Sequence, residues 1–192
     1  MKRMIWLLPV LLLVGCSDTQ EAAARIKEKV AQTGEKESTA LMQTLGGNLQ
    51  AAMQQGGPVH AMDFCAGQAN VLTQQVSDHA GEGIRVKRVS LKYRNPANQP
   101  DGIDAKVLEM FETNQANGET LAPHIEKTGE GYRYYTPLVI PENKPCLRCH
   151  GSDIAPEVAQ KIQTLYPTDT ATGYETGDVR GAIRVDIAKS AL

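Results

Sequence analysis

The sequence is poor in aromatic residues, cysteine and histidine, and it has no excess of positive charge. Its 192 residues include two phenylalanines, one tryptophan, six tyrosines, four cysteines and four histidines, and the formal net charge is −2. A slightly acidic chain lacks the basic surface that binds nucleic acid, so we expect no nucleic-acid partner. Beyond the N-terminus, no apolar run approaches the roughly 20 residues of a membrane-spanning helix. With so few cysteines, the position of each one is informative.

The N-terminus is the exception to this polar composition. Lys2 and Arg3 precede an apolar run over residues 5–14, which is too short for a permanent membrane span and is typical of an export signal. The run ends in the letters LVGC at residues 13–16, which resemble a bacterial lipobox. This resemblance implies cleavage before Cys16 and a diacylglycerol group on its sulfur. The alternative is an ordinary secretory signal with an incidental cysteine.

The lipobox interpretation also predicts a location. Ser17 follows the cysteine, where an aspartate would tend to retain a lipoprotein in the inner membrane, so the outer membrane is favoured. We therefore predict a signal peptide at residues 1–15, a polar tether at 16–25, and a lipid-anchored protein on the periplasmic side of a bacterial membrane.

Apolar periodicity predicts a chain of helices and short strands. Gly34, Gly46 and Gly47 suggest a kink or break in the first helix, and the unequal spacing of Val86 and Val89 suggests a bulge in the first strand. Helices beside an antiparallel sheet make an α+β domain. The helices are expected at residues 26–57, 58–78, 103–117 and 156–165, and the strands at 84–91, 121–127, 132–140 and around 183–187.

The most specific motif is CLRCH at residues 146–150, which matches the CxxCH signature of c-type haem attachment. Two cysteines at this spacing can each form a thioether with one vinyl group of a porphyrin, and the adjacent histidine then lies beneath the iron. We therefore predict one covalent haem c on Cys146 and Cys149, with His150 as an axial ligand. Export suits this cofactor, because it is attached outside the cytoplasm.

The CxxC pair fits three alternative kinds of site less well. A thioredoxin-like CxxC normally lies beside a βαβ pattern, whereas the flanking strands here are predicted to form an antiparallel hairpin. A structural zinc site needs about four ligands in paired spacing, and only Cys65 and isolated histidines remain. A plain disulfide leaves the histidine unexplained.

The motif alone does not identify the second axial ligand. Histidine and methionine are the usual choices. Cys65 has no disulfide partner and lies on the apolar face of the second predicted helix. It is therefore either a small buried hydrophobic residue or a thiolate bound to ferric iron, and its position does not decide between them. The other candidates are His60, His79, His124, Met53, Met62 and Met110.

Four stretches of the sequence resemble the Tll-like haem-binding domain family, a PAS-like c-type haem domain. The first three are Asp63-Phe64-Cys65, residues 89–98 (VSLKYRNPAN) and residues 145–151 (PCLRCHG). The fourth covers residues 173–183, which begin with Gly173-Tyr174 and end with GDVRGAI. They occur in the order found in the family. The resemblance implies a PAS-like antiparallel sheet flanked by helices over residues 58–192, preceded by the long N-terminal helical segment at 26–57.

The same resemblance implies a Cys/His axial pair, with His150 as the proximal ligand and Cys65 as the distal thiolate. Lys92, Arg94 and Arg180 lie nearest to the family motifs and are candidate contacts for the haem propionates, or else solvated surface cations. Tyr132, Tyr134 and Tyr135 either line the haem pocket or pack between the sheet and a helix.

Two functions agree with these features. An anionic thiolate stabilises ferric iron, so a low potential is expected, and a redox- or gas-sensing module would release Cys65 on reduction. The alternative is a periplasmic electron-transfer cytochrome that keeps both ligands. An enzyme is not expected, because two strong ligands leave no open position; a peroxidase-like enzyme would require one. We expect an unknown redox or signalling protein as partner, and the long helix is compatible with a homodimer.

Overall fold

The structure is a computed structural model that describes residues 17–142 and 145–192. The predicted signal peptide at 1–15 and the predicted lipid attachment at Cys16 lie outside the described residues. Within those ranges, no helix is both long enough and apolar enough to cross a bilayer.

An antiparallel sheet forms the centre of the fold. In the described residues it has four strands, in the spatial order β1-β4-β3-β2. Strands β2 and β3 form the hairpin expected from the sequence, and β4 pairs with both β1 and β3. The strands are β1 (Ile84–Val89), β2 (His124–Lys127), β3 (Gly131–Val139) and β4 (Val179–Ala188).

Helices cover both faces of this sheet, which confirms the predicted α+β fold with its long N-terminal helix. Short 3₁₀ turns at Pro96–Asn98 and Lys189–Ala191 complete the described elements. Helices α3 and α5 begin and end within one residue of their predicted bounds. The helices are α1 (Ser17–Gly67), α2 (Ala69–His79), α3 (Gly102–Ala116), α4 (Leu147–His150) and α5 (Pro156–Leu165).

The two sheet faces have separate cores because side chains alternate along β4. Ile183, Val185 and Ile187 pack with Val30 and Leu41 of α1. On the opposite face, Ala182 packs with Val107, Leu108 and Phe111 of α3. The alternation of residues 183–187 therefore predicts the burial pattern correctly.

Helix α1 differs from the prediction in its start. The segment at 16–25, predicted as a tether, is helical from Ser17. Its residues from Thr19 onward are exposed, and the first buried residue of the helix is Val30. The polar, small composition that suggested a tether is equally suited to a solvated helical face.

The break in α1 lies at the predicted boundary between residues 26–57 and 58–78, because the helix is interrupted at Gly56 and Gly57. The further kink or break suggested by Gly34, Gly46 and Gly47 is absent, since the helix continues through all three. Gly57 has φ 70° and ψ −165°, a conformation that is readily accessible only to glycine. The C-terminal part of α1, residues 58–67, therefore runs in a new direction.

The predicted bulge in β1 is absent and a bulge is found in β4 instead. Strand β1 pairs with β4 in continuous register from Ile84 to Val89, because Val86 and Val89 simply face opposite cores. Between β3 and β4 the register shifts, so that Arg180 has no partner in the β3 ladder. Bulges of this kind redirect a side chain.

Candidate haem site

A cavity of about 250 Å³ lies beside the CxxCH turn. Part of its wall is apolar and comes from Met53, Met62, Leu138 and Ile140, among others. The chemically active side chains of the wall come from four separate segments of the chain. They are Cys65 from α1, Arg94 from the loop after β1, Cys146, Cys149 and His150 from the α4 turn, and Arg180 from the β4 bulge.

Helix α4 is a single turn that presents the motif to this cavity. The amides of Cys149 and His150 both donate to the carbonyl of Cys146, at 3.2 and 3.0 Å. Residues three apart in a helix lie on the same side, so the two cysteine side chains share one face. A side chain at Gly151 would come within 2.7 Å of the Leu147 carbonyl, so glycine permits the close turn that ends the motif.

One backbone contact and one side-chain contact fix the position of His150. The amide of Tyr174 donates to the His150 carbonyl at 2.9 Å, and His150 Nδ1 lies 2.8 Å from the carbonyl oxygen of Ala171. Since a carbonyl oxygen can only accept, Nδ1 carries the proton and Nε2 is left as the ligating nitrogen. Histidine ligands of metals are commonly oriented by such a contact of the other ring nitrogen.

The electrostatic surroundings keep His150 neutral. Burial lowers the pKa of His150 to about 3, and the positive charges of Arg180 and Arg94 act in the same direction. Only a neutral imidazole has a free nitrogen lone pair for a metal. His150 is therefore in its ligating form at physiological pH.

Cys65 reaches the cavity from the segment that follows the break in α1. This segment packs against α5 through Met62, which is buried with Val158, Ile162 and Tyr166. Lys161 of α5 also pairs with Asp63 at 2.6 Å. Burial raises the pKa of the Cys65 thiol and Cys149 adds to this effect, while Arg94 and Arg88 oppose it.

The other candidate axial ligands lie either at the cavity or away from it. Met53 and Met62 line the cavity. Met110 packs in the core beneath α3, His60 and His79 are exposed, and His124 is half-buried on strand β2. The structure thus brings Cys65 and the two methionines to the cavity and leaves the three histidines outside its lining.

Arg180 is directed to the cavity by the bulge in β4. Its Nη1 donates to Ser90 Oγ at 2.8 Å and to the Lys92 carbonyl at 3.1 Å. Its buried Nε has no hydrogen-bond partner among the described residues, and burial lowers the pKa of this guanidinium. A half-buried cation whose Nε is buried and unsatisfied suits an anionic group.

The neighbouring Gly181 makes this bulge possible. It has φ 152°, and a side chain there would come within 2.4 Å of the Val89 carbonyl.

Arg94 and Lys92, the other predicted propionate contacts, are arranged differently. Arg94 is buried and forms an ion pair with Asp169, with Nη2 3.0 Å from Oδ2. Lys92 is exposed, donates to the Thr172 carbonyl at 3.3 Å and lies 4.7 Å from the centre of the Tyr174 ring. Arg94 lines the cavity, and Lys92 is not among the lining residues.

Arg88 is a further basic residue near the site, and the sequence did not point to it. It follows Val86 on β1, and its Nη2 donates to Asn70 Oδ1 at 2.7 Å. Its Nε is buried without a partner in the described part of the chain. Burial lowers the pKa of Arg88, Cys65 counteracts this, and Arg180 adds to it. The sequence feature that could have pointed to Arg88 is its spacing, because it comes two residues after the core valine Val86 in the same strand.

The three tyrosines of β3 are not cavity residues. Tyr134 packs against Gly34 of α1, and Tyr132 lies beside the same core. Tyr135 lies on the other face and donates to Asp104 Oδ1 at 2.8 Å. The tyrosine that does adjoin the site is Tyr174, whose ring meets that of His150 edge-on at 6.3 Å.

These side chains fit a haem. The cavity combines an apolar wall, a neutral imidazole with a free Nε2, thiols at the spacing for thioether bonds, and a half-buried guanidinium with a buried, unsatisfied donor for a carboxylate. An α+β domain with such a site belongs to the class of haem-binding proteins.

Comparison with known proteins identifies the particular group. A family model described as Tll0287-like matches residues 17–188, and the chain belongs to this family. The crystal structure of the cyanobacterial heme-protein Tll0287 has a similar fold, with 28% sequence identity and a TM-score of 0.57. The similarity covers 84% of this chain and 94% of that chain. No curated protein matches the sequence. The predicted family is confirmed, and with it the binding of haem.

Proposed function

We propose that this protein carries one haem, attached covalently through Cys146 and Cys149, and acts as a redox or gas sensor-like module. In this proposal His150 and Cys65 are the axial ligands of the iron. The observation that carries it is the meeting of Cys65 and the CxxCH turn at one cavity, where the Ala171 carbonyl leaves only Nε2 of His150 free.

The two proposed ligands would make the site responsive to the redox state of the iron and to small gas molecules. When bound, haem supplies a one-electron iron couple and, with an axial position free, a site for a small ligand such as CO or NO. A Cys65 thiolate stabilises the ferric state and lowers the potential. Cys65 would hold the ferric iron, and segment 58–67, which carries it, would be able to move about the break at Gly56 and Gly57 if the thiolate were released on reduction.

Arg180 and Arg88 are suited to the propionates. Each has a buried Nε without a partner in the described ranges, and their hydrogen-bonded side-chain partners are the neutral Ser90 and Asn70. Both residues are half-buried, and a buried donor such as Nε normally has a hydrogen-bond partner. Arg94, already paired with Asp169, is better suited to a structural role than to binding a propionate.

The expected chemistry is not enzymatic. With Cys65 and His150 both on the iron, no coordination position is open to a substrate in the ferric protein. The second candidate function is a periplasmic electron-transfer cytochrome. It is favoured by the packing of Met62 and the Asp63–Lys161 pair, which would hold Cys65 in place in both oxidation states.

The proposed setting is the periplasmic face of a bacterial membrane, preferably the outer membrane, with a lipid anchor at Cys16. Helix α1 begins at Ser17, and residues 19–29 are exposed, so the helix would hold the haem domain away from the bilayer. The partner is a separate redox or signalling protein, and a homodimer through α1 stays a prediction.

The test is the absorption and EPR spectra of the purified protein in both oxidation states, with intact mass for the covalent haem. Replacing Cys65 by serine should abolish the ferric thiolate signature and raise the potential. Met53→Leu is the matched control, because Met53 lines the same cavity and leucine preserves its volume. An unchanged ferric spectrum in Cys65→Ser would exclude thiolate ligation, and a changed one in Met53→Leu would indicate methionine ligation instead.

A further inference from the structure

The carbonyl of Ala171 accepts hydrogen bonds from two groups at once. His150 Nδ1 lies 2.8 Å from this oxygen, and Nη2 of Arg94 lies 3.2 Å from it. The same Nη2 also donates to the carbonyl of Cys149 at 2.6 Å. Because Nη2 has two N–H groups and a third acceptor in Asp169 Oδ2, one N–H is shared between two of these oxygens. The Arg94 guanidinium thus contacts Cys149, the residue before His150, and also the Ala171 carbonyl that accepts the hydrogen bond of His150.

Asp169 completes this arrangement. Its Oδ1 accepts from Arg94 Nε at 3.1 Å and from the Ala171 amide at 2.9 Å, and its Oδ2 accepts from Arg94 Nη2 at 3.0 Å. Both charged side chains are buried. The carboxylate and the guanidinium therefore hold the Ala171 residue by its amide and its carbonyl, and the positive charge beside that carbonyl is partly compensated.

The contact has an electronic consequence for the ligand. A carbonyl oxygen that already accepts from a cation is a weaker acceptor for a second donor, because its electron density is drawn toward the charge. A weaker Nδ1–H···O bond leaves less imidazolate character on His150. The hydrogen-bond partner of a histidine ligand adjusts how strongly the ring donates to its metal.

We propose that Arg94 and Asp169 form an opposed pair that sets the donor strength of His150 through the shared Ala171 carbonyl, and thereby the potential of the iron. This rests on the proposed haem ligation by His150. Arg94 weakens the imidazole as a donor and raises the potential. Asp169 neutralises part of the Arg94 charge and lowers it. Both are positioning residues, since neither is expected to touch the iron.

The opposed signs make the proposal testable in the intact haem protein. Arg94→Gln should lower the midpoint potential of the one-electron couple by about 59 mV, which corresponds to a tenfold change in the redox equilibrium constant. The potential is set by an external electrode. Asp169→Asn should raise it. Arg94→Lys keeps the charge but loses the planar fork that reaches Asp169 and the carbonyls, so its potential should also fall.

A second readout follows the hydrogen bond itself. In histidine-labelled protein that is reduced and saturated with CO, which keeps the iron diamagnetic, the NMR signal of the proton on Nδ1 of His150 should shift downfield in Arg94→Gln, because its bond to Ala171 strengthens. Lys27→Gln is the control for loss of an unrelated cation, because Lys27 is exposed near the start of α1. It should leave both measurements unchanged.

Several outcomes would overturn the inference. If Arg94→Lys keeps the wild-type potential while Arg94→Gln lowers it, charge alone acts and the shared carbonyl has no role. If Asp169→Asn shifts the potential in the same direction as Arg94→Gln, the pair is structural only. Absence of haem or of histidine ligation in the wild-type spectra would instead refute the proposed function, so the two failures are distinguishable.

Discussion

Single glycines set how closely the elements of this fold approach one another. Gly34 lies within α1, and a side chain there would come within 2.1 Å of Cγ of Tyr134. The ring of Tyr134, which belongs to the buried core between α1 and the sheet, therefore lies directly on the helix backbone. A residue that weakens an isolated helix is required here by packing.

Gly34→Ala should destabilise the protein by about 1–3 kcal/mol, because the added methyl group overlaps the Tyr134 ring in a packed core. Gly46→Ala is the matched substitution in the same helix, with no atom within 4 Å of the new Cβ. It should stabilise by about 0.5–1 kcal/mol, since alanine favours the helix. Urea unfolding midpoints measure both, and equal effects would show that Gly34 has no packing role.

At the scale of secondary-structure elements, the break in α1 divides one helix into two parts with different neighbours. The part before Gly56 contributes Val30 and Leu41 to the core beneath the sheet. The part after Gly57 carries Cys65 and packs on α5 through Met62 and the Asp63–Lys161 pair. The part of the cavity wall that carries Cys65 therefore packs on α5 and does not belong to the core beneath the sheet.

Reduction should increase hydrogen exchange in residues 58–67 by several-fold and leave the part of α1 that packs on the sheet unchanged. The reason is that release of Cys65 from the iron would leave the segment held only by its contacts with α5. Exchange followed by mass spectrometry in both oxidation states measures this. Cys65→Ser should abolish the difference between the states. Equal exchange in the reduced and oxidised wild type would favour the electron-carrier alternative.

At the scale of the whole molecule, the sheet separates the haem site from a network of charges. Asp104 of α3 is fully buried and pairs with Arg184 at 2.7 Å and Arg133 at 3.3 Å on the face away from α1. Removal of one partner from such a buried network costs about 3–5 kcal/mol. The network therefore stabilises the packing of α3 on its face of the sheet, while α1 with its break packs on the opposite face.

Replacement of Cys16 by serine should move the protein from the membrane to the soluble fraction without changing its haem spectrum. The lipid would be lost, and stable anchoring by lipidation needs at least two acyl chains. Fractionation of cells with immunoblotting measures the distribution. Cys65→Ser, which retains Cys16, should stay with the membrane. Retention of Cys16→Ser at the membrane would contradict the lipid anchor.

Much of the local structure was predictable from the sequence. The β2–β3 hairpin, helices α3 and α5 and the burial pattern of β4 follow from patterns within a few consecutive residues. The break at Gly56 and Gly57 was also predictable. The kink expected at Gly34 was wrong, because the effect of this glycine depends on Tyr134, a residue far along the chain. The bulge was expected at Val86 and Val89 because alternation alone does not reveal that both faces of the sheet are buried.

The sequence by itself determined the prediction of a c-type haem site, because the CxxCH motif consists only of residues that are close together in the chain. It narrowed the role of Cys65 to two alternatives without deciding between them. Only the tertiary structure brought Cys65 to the cavity, directed Arg180 toward it, exposed the unpaired Nε of Arg88 and showed Ala171 as the acceptor for His150. The physical reason is distance along the chain. Arg94 and Asp169 are 75 positions apart, and hydrogen bonds between such residues depend on how the sheet and loops pack.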